Sequence, residues 1–275
     1  MKKNIGIQGI KGSFHHIVAE NYFGNEINII EFLSFDDMVN SLSKGGIEFA
    51  VMAIENSTAG SIIPNYALID EFKAFIVGEY YLNVKHNLIA LSGQKLDDIN
   101  EVQSHPMALL QCRDFFKRHQ KIKLIEEKDT ALVAKNIGKN KVLGLGAIAS
   151  ELASKIYKLS IIEENIQTIN ENQTRFVILS NDSYYQSDEI NKASLKFELD
   201  HKRGSLATIL NVMSDCKLNL TKIQSMPKIQ HPWTYSFFVD ITFEKKNDYL
   251  KAKSIIKIMA QKFKVLGEYS NSKKW

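Results

Sequence analysis

Cysteine is scarce in this sequence, with Cys112 and Cys216 as the only two among 275 residues. Each lies in a helix-like stretch, and the two share no spacing that suits a metal site. They are typical of free buried thiols in a reducing compartment, and they argue against a disulfide framework.

A long hydrophobic run is also missing. No stretch of about 18 apolar residues occurs, which argues against a membrane-spanning helix. The opening stretch MKKNIGIQGIKGSF has two lysines but lacks the apolar core and cleavage site of a signal peptide. We therefore expect a cytoplasmic enzyme or sensor without a membrane partner.

Neither positive nor negative charge is concentrated in any one part of the sequence. The chain has 35 basic and 31 acidic residues and a net charge of +4, with no block of about five like charges that would suggest a nucleic-acid-binding tail. We therefore expect no nucleic-acid partner. The small positive excess suits an anionic small molecule.

Short apolar strands alternate with helical patterns over the first 182 residues. Residues 49–54, FAVMAI, form a continuous apolar run of strand length, which is typical of a strand buried on both faces. This alternation predicts an α/β domain with a largely parallel sheet. In its second half we predict a helix over 107–118, a strand over 142–145 and a helix over 148–157.

The pattern changes after residue 180. Residues 180–192, SNDSYYQSDEINK, are polar and aperiodic and predict a linker. Strands are then predicted over 193–199, 218–223, 234–241 and 265–269, with helices over 205–215 and 249–263. The order βαββαβ in about 80 residues predicts a ferredoxin-like module.

Polar residues cluster where predicted strands end. GIKGSF at 9–14 joins a strand to a helix, so its backbone N–H groups and Ser13 can face an anion, although a simple tight turn explains it equally well. Glu55, Asn56, Ser57 and Thr58 follow the buried strand, where ligands bind in open α/β sheets. A helix cap needs one such residue, not four.

The second half of the domain repeats the arrangement. Ser104 and His105 end a strand before Pro106, while Thr130 and Ser150 start predicted helices. His105 could equally be a structural histidine. Such donors in two facing lobes, together with one arginine, suit a small ligand that carries carboxylates.

The stretch NQTRFVILS at 172–180 places Thr174 and Arg175 at the mouth of an apolar strand. Arginine cannot shed its charge, so burying it without a partner is costly. Taken alone, a solvated arginine at a strand end is the simpler interpretation.

Segments from along the whole chain resemble those of a known family. GIKGSF, AIENSTAG, SHPMALLQC, GAIAS and NQTRF resemble, in order, the signature segments of prephenate dehydratases. GSLATILNV, LNLTKIQSMP and WTYSFFVDI resemble the family's regulatory ACT domain. The family converts prephenate to phenylpyruvate, water and carbon dioxide on the route to phenylalanine, and needs no metal or organic cofactor.

The resemblance implies a two-lobed catalytic domain, like type II periplasmic binding proteins, over residues 1–182. Its lobes would span about 1–77 plus 175–182, and 78–174. A ferredoxin-like ACT domain would span 191–275. ACT domains usually pair, which implies a homodimer or homotetramer.

The resemblance also implies roles for individual residues. Thr174 would be the catalytic hydroxyl, and Arg175 would face the cleft beside it and hold the pyruvyl carboxylate. Neutral donors would lie near the ring carboxylate. The implied substrate-binding residues are Ser13, Glu55, Asn56, Ser57, Ser104, His105, Thr130 and Phe176.

The sequence departs from the family pattern in both parts. His15 stands where many members have serine, and Met107 where glutamine is common. The family's Glu-Ser-Arg-Pro reads Gln224-Ser225-Met226-Pro227, so we expect phenylalanine to bind as the effector with an altered closing response. The implied effector residues are Gly204, Ser205, Leu206, Asn219, Leu220, Gln224 and Met226.

Other functions stay open at this point. Arogenate, which has an amine where prephenate has a keto group, is an alternative substrate. A non-catalytic phenylalanine sensor is a second alternative, although intact Thr174-Arg175 argues against it. A solute-binding protein is disfavoured by the lack of a signal peptide.

Overall fold

A computed structural model describes residues 2–182, 189–200, 202–228 and 231–272. It confirms the predicted fold class: an α/β protein whose two lobes each have their own sheet, followed by a βαββαβ unit. Among the described residues, no helix is long and apolar enough to cross a membrane.

The first lobe is built on the sheet order β2-β1-β3-β11-β5. Strands β1, β2 and β3 are parallel, whereas β11 runs antiparallel to both β3 and β5. Helix α1 packs on one face of this sheet, and α2 and α3 pack on the other. Strand β3 is buried on both faces, which explains its unbroken apolar run. The elements are β1 (Lys3–Gln8), α1 (Phe14–Phe23), β2 (Ile27–Phe32), α2 (Phe35–Ser43), β3 (Phe49–Asn56), β4 (Gly60–Ser61), α3 (Ile63–Glu71), β5 (Phe75–Asn83) and β11 (Gln173–Ser180).

The second lobe has the sheet order β10-β6-β9-β7-β8 with helices around it. Its elements are β6 (Asn87–Ala90), a 3₁₀ turn (Leu96–Asp98), β7 (Glu101–Ser104), α4 (Pro106–Gln111), α5 (Arg113–Lys117), β8 (Lys123–Glu126), α6 (Thr130–Asn140), β9 (Leu145–Ala149), α7 (Glu151–Tyr157) and β10 (Ser160–Glu163).

Three predictions in this lobe are wrong. The strand predicted over 142–145 begins at Leu145, and the helix predicted over 148–157 begins at Glu151 after Ser150, whose Oγ accepts from the N–H of Ala153. Small apolar residues such as those of GAIA fit either period, so the pattern did not separate strand from helix. The helix predicted over 107–118 is two helices, α4 and α5, which meet at Cys112.

The crossover between the lobes also differs from the prediction. A boundary after residue 77 would cut through β5, which continues to Asn83 in the first-lobe sheet. The chain enters the second lobe at β6 and returns at β11, whose first residue is Gln173. The first lobe therefore includes all of β5 and β11.

The C-terminal unit, by which we mean β12 to β15, has the predicted element order. Its sheet order is β13-β14-β12-β15, with both helices packed on one shared core. The predicted helix over 249–263 ends earlier, at Met259. Of the predicted linker, residues 183–188 lie outside the described residues. The elements are β12 (Lys192–Glu198), α8 (Ser205–Asp215), β13 (Asn219–Lys228), β14 (His231–Thr242), α9 (Lys246–Met259) and β15 (Lys262–Tyr269).

Strand β15 joins the C-terminal unit to the first lobe, because it pairs in parallel with β5 where Gly267 meets Ile76. The two sheets therefore form one continuous sheet. A Cβ atom at Gly267 would lie 2.2 Å from the carbonyl oxygen of Ile76, so glycine is what allows the two backbones to approach. The sequence alone did not predict this junction.

Candidate active site

A cavity of about 580 Å³ lies between the two lobes. The first lobe contributes the loop before α1 and the segment that follows β3, and the second lobe contributes the starts of α4 and α6. Six of the predicted site residues line it together: Ser13, Asn56, His105, Thr130, Thr174 and Phe176.

Thr174 and Asn56 are held side by side by strand pairing. They lie directly opposite each other in the register of β11 with β3. Asn56 Nδ2 donates to Thr174 Oγ1 over 2.8 Å. Among the hydrogen bonds of the described residues, Thr174 Oγ1 serves only as an acceptor. Its own proton therefore remains available to a molecule in the cavity.

A network of amides fixes the direction of Asn56. Asn56 Nδ2 also donates to Asn172 Oδ1 over 2.7 Å, and Asn172 Nδ2 donates to Gln111 Oε1 over 2.9 Å. Gln111 Nε2 in turn donates to Thr58 Oγ1 over 2.9 Å. Gln111 belongs to the second lobe and Thr58 to the first, so this network connects the lobes across the cavity.

His86 sets the orientation of Gln111. Its Nε2 lies 2.8 Å from Gln111 Oε1, which already accepts from Asn172, so Nε2 must carry the proton. Burial lowers the pKa of His86, although the hydrogen bond to Gln111 opposes this effect. His86 is therefore neutral, and its buried Nδ1 lacks a partner among the described residues.

His15 is a second buried histidine in the cavity wall. Its Nε2 accepts from the N–H of Ala53 over 3.3 Å, and its ring packs edge-on against Phe176 at 5.0 Å between centroids. Burial lowers the pKa of His15 to about 3. This departure from the family's serine therefore adds a neutral, partly aromatic wall beside Phe176.

The N-termini of α1 and α6, which reach the cavity together with that of α4, each have a side-chain cap. Ser13 caps α1 by accepting from the N–H of His16 over 3.3 Å, and Asp129 caps α6 by accepting from the N–H of Leu132 over 2.8 Å. Burial raises the pKa of Asp129. Lys128 and Thr130, on either side of Asp129, also line the cavity.

Arg175 does not face this cavity. Successive side chains of a strand point to opposite faces, so when Thr174 and Phe176 line the cavity, Arg175 must point to the other side. The expectation that Arg175 lies in the cleft beside Thr174 is therefore wrong. Its side chain is buried between the first lobe and the C-terminal unit.

The buried guanidinium is fully partnered there. Arg175 Nε donates to Glu79 Oε2 over 2.8 Å and Nη2 donates to Tyr269 Oη over 2.9 Å, while Nη1 donates to Asp240. Lys192 adds a second cation on Glu79, at 2.8 Å from Oε2. Burial alone would lower the pKa of Arg175, but the carboxylates of Asp240 and Glu79 raise it well above its usual value. Two cations and two carboxylates thus balance each other.

Three other predicted substrate contacts lie away from the interlobe cavity. Ser104 is buried and donates to the carbonyl of Ile148 over 2.8 Å. Ser57 Oγ accepts from the N–H of Gln173 over 2.9 Å and so ties the two strand ends together. Oε1 of Glu55 lies 2.7 Å from Nζ of Lys222, which belongs to the C-terminal unit. The structure therefore assigns these side chains to the scaffold.

Gln111, Asn172 and His86 were missed as site residues. Gln111 lies one helical turn after Met107, so both side chains reach the cavity from one face of α4. Asn172 precedes Thr174 by two positions at the strand entrance. The helical spacing could have predicted Gln111, whereas His86 gives no comparable signal in the sequence.

The predicted effector residues lie in the C-terminal unit at two places. Gly204, with φ 85°, precedes α8, which begins with Ser205 and Leu206. Met226 packs against a core cluster that the first lobe shares with the C-terminal unit. Asn219, Leu220 and Gln224 lie with Met226 on β13.

Two α/β lobes enclose a cavity lined by hydroxyl and amide groups, Lys128, Asp129, histidines and apolar side chains. This arrangement suits a small ligand that has both polar groups and an apolar part. No group of three or more histidine, cysteine, aspartate or glutamate side chains among the described residues could hold a metal ion.

Comparison with known proteins identifies the family. A sequence profile described as prephenate dehydratase matches residues 5–184. The bifunctional chorismate mutase/prephenate dehydratase of Buchnera aphidicola subsp. Acyrthosiphon pisum (strain APS) is 31% identical over 277 residues, covering 98% of this chain and 71% of that protein. The chain belongs to the prephenate dehydratase family, which confirms the resemblance seen in its motifs.

Two further comparisons extend this result. The chloroplastic arogenate dehydratase/prephenate dehydratase 2 of Arabidopsis thaliana is 33% identical over 278 residues, covering 96% of this chain and 72% of that protein. A solved structure of prephenate dehydratase in complex with L-Phe, from Arthrobacter aurescens, has a TM-score of 0.89 at 21% identity. It covers 98% of this chain and 90% of that one. At 21% identity, the likeness to this solved structure concerns the fold alone.

Proposed function

We propose that this chain is a lyase that converts prephenate to phenylpyruvate in the cavity between the lobes. The bond from the ring to its carboxylate breaks, and its electron pair enters the ring as carbon dioxide leaves. The bond to the ring hydroxyl breaks, and that oxygen takes up one proton and leaves as water. Membership of the family and the hydroxyl of Thr174 in the cavity support this proposal.

The hydrogen bond from Asn56 to Thr174 carries the proposal. Because Thr174 Oγ1 accepts from Asn56 Nδ2 at 2.8 Å, its proton is free to be donated to the leaving hydroxyl. Threonine is a weak acid in water, so it acts as a positioned donor in a closed site. A positioned general acid contributes about 10²–10⁴-fold in rate, and the proton consumed overall comes from solvent.

The substrate's carboxylates meet helix N-termini and Lys128 in this proposal. The start of α6 at Thr130 presents backbone N–H groups, which favour anions. Arg175 donates to Glu79, Asp240 and Tyr269 on the other side of the strand, so holding the pyruvyl carboxylate does not fall to it. Both N–H groups of Asn56 Nδ2 are used by Asn172 and Thr174, so the neutral hydroxyl of Ser13 donates to the ring carboxylate. It does not stabilise the carboxylate charge strongly, which suits a group that leaves as neutral carbon dioxide.

Arogenate is the second candidate substrate. Asp129 lines the cavity beside Lys128 and Thr130, and its carboxylate suits the ammonium that arogenate carries where prephenate has a keto group. The name of the Arabidopsis relative includes both activities.

Regulation by phenylalanine belongs to the same proposal. The βαββαβ order of the C-terminal unit supports an ACT domain that binds L-phenylalanine and pairs with that of another copy, giving a homodimer or homotetramer. A relative of the same fold has been solved with L-Phe bound. The cytoplasmic location remains a prediction from the sequence.

The test is an assay of the purified chain with prephenate and, separately, with arogenate. Formation of phenylpyruvate from prephenate supports the proposal, and preferential turnover of arogenate moves the assignment to the second candidate. If neither is consumed while L-phenylalanine binds, the chain is the non-catalytic sensor.

A further inference from the structure

The strand ends that carry Asn56 and Thr174 have a second face, which is turned to the C-terminal unit. Glu55 and Arg175 lie directly opposite each other in the pairing of β3 with β11. Each is the chain neighbour of one member of the Asn56–Thr174 pair, so strand alternation places it on the face away from the interlobe cavity. Both are charged, and both contact the C-terminal unit.

The partners of these two residues also lie opposite each other. Lys222 Nζ lies 2.7 Å from Glu55 Oε1 and donates to Ser61 Oγ over 2.7 Å. Asp240 accepts from the guanidinium of Arg175. Lys222 and Asp240 face each other in the register of β13 with β14. The Glu55 and Arg175 side chains on β3 and β11 thus meet the complementary charges of Lys222 and Asp240 on β13 and β14.

The ion pair of Arg175 with Asp240 is shielded from solvent, since their side chains are 4% and 3% exposed. In the other pair the side chain of Lys222 is 7% exposed and that of Glu55 is 38% exposed, so this pair is only partly buried. Breaking one partner out of a buried pair leaves an uncompensated charge, which costs far more than breaking a surface pair. The two strand ends therefore resist any displacement from the C-terminal unit.

We propose that Lys222 and Asp240 are positioning residues for the reaction: their ion pairs with Glu55 and Arg175 fix the strand ends that present Asn56 and Thr174 to the substrate. This inference rests on the proposed function. The C-terminal unit is then a part of the active-site scaffold as well as a regulatory unit.

These ion pairs affect the reaction rate because the reacting groups must be placed precisely relative to the substrate. The proton of Thr174 points into the cavity only while Asn56 stays within hydrogen-bonding distance, and a misplacement of about 1 Å at a reacting group can cost roughly 10²-fold in rate. Lys222 is not among the residues that line the interlobe cavity. Its removal should therefore lower kcat and leave KM nearly unchanged.

The test compares Lys222→Met with Lys222→Arg in steady-state kinetics on prephenate. We expect kcat of Lys222→Met to fall by about 10-fold to 100-fold, with KM within about twofold of wild type. Lys222→Arg keeps the charge and should recover most of the lost kcat. Lys222 is chosen because a variant of the fully buried Asp240 risks failing to fold.

Asp70→Asn provides the matched control. Asp70, at the end of α3, pairs with Lys196 at 2.6 Å and Lys264 at 2.9 Å, so it joins the same two parts of the chain away from the strand ends. This variant should lose at least as much thermal stability as Lys222→Met and keep wild-type kcat.

The outcomes separate this inference from the proposed function. An unchanged kcat in Lys222→Met, or an equal loss of kcat in Asp70→Asn, overturns the inference while an active wild type upholds the function. An inactive wild type overturns the proposed function, and this inference with it.

Discussion

Asn56 on β3 and Thr174 on β11 form a side-chain hydrogen bond of 2.8 Å across two antiparallel strands. The amide thereby occupies a lone pair of the hydroxyl and leaves its proton to be donated. This relationship gives the hydroxyl a direction, which a lone threonine at a strand end would lack.

The first prediction concerns that hydroxyl. Thr174→Val keeps the shape of the side chain and removes the donor, so we expect kcat to fall by about 10²–10⁴-fold and substrate affinity to change by less than about tenfold. Thr174→Ser, the matched control, keeps the hydroxyl and should retain much of the activity. The measurement is turnover of prephenate, and intact turnover in Thr174→Val would remove Thr174 from the mechanism.

The second prediction concerns acid stability and His15. Because the pKa of His15 falls to about 3 in the folded chain, the unfolded chain binds a proton there between about pH 6.5 and pH 3 that the folded chain does not. The free energy of unfolding therefore falls as the pH falls through this window, by up to about 1.4 kcal/mol per pH unit for one such group.

His15→Ser removes this contribution. Its loss of unfolding free energy between about pH 7 and pH 5 should be smaller than that of wild type by about 1–2 kcal/mol. Denaturant titrations at the two pH values measure it, and the contributions of the other buried histidines cancel in the comparison. Equal losses in the two proteins would mean that His15 is protonated in the folded state.

The third prediction concerns the effector. Met226 packs against the core cluster shared by the first lobe and the C-terminal unit, and Gln224 lies two positions earlier on β13. We expect L-phenylalanine to bind wild type but to inhibit it weakly, because the family's two charges are absent at these positions. The double variant Gln224→Glu/Met226→Arg restores those charges and should strengthen inhibition. Calorimetry and turnover with L-phenylalanine test this, and absence of binding to wild type at millimolar concentration contradicts it.

The fourth prediction concerns the junction of the two sheets. Gly267→Val places a branched side chain where even a Cβ atom would meet the carbonyl of Ile76 at 2.2 Å. We expect the free energy of unfolding to fall by about 2 kcal/mol or more. Lys262→Val, at an exposed position of the same strand, is the control and should stay close to wild type. Thermal unfolding of both variants measures this difference in stability.

The sequence predicted strands, helices and motifs better than it predicted which face of a strand each side chain occupies. The apolar run of β3 correctly predicted a buried strand. Of the polar residues after it, Asn56 lines the interlobe cavity, whereas Glu55 and Ser57 do not. The resemblance implied that Thr174 and Arg175 both face the cleft, but neighbouring side chains of a strand point to opposite faces. Alternation alone would have separated them.

The remaining features that the sequence did not predict depend on contacts between distant parts of the chain. The partners of Glu55 and Arg175 lie on strands far along the chain, and charge alone does not say which lysine or aspartate is opposite. His86 enters the site only through its bond to Gln111. The parallel junction at Gly267 depends on a single close approach of two backbones, for which one glycine among 14 gives no signal.

The buried guanidinium also has a consequence for synthesis of the chain. Arg175 precedes Asp240 by 65 positions and Tyr269 by 94, and chains emerge from the ribosome with the N-terminal part first. The two lobes are therefore translated before two of the three partners of Arg175, Asp240 and Tyr269, have been made. We therefore expect the packing around the strand that presents Thr174 to be completed only after β14 and β15 have emerged.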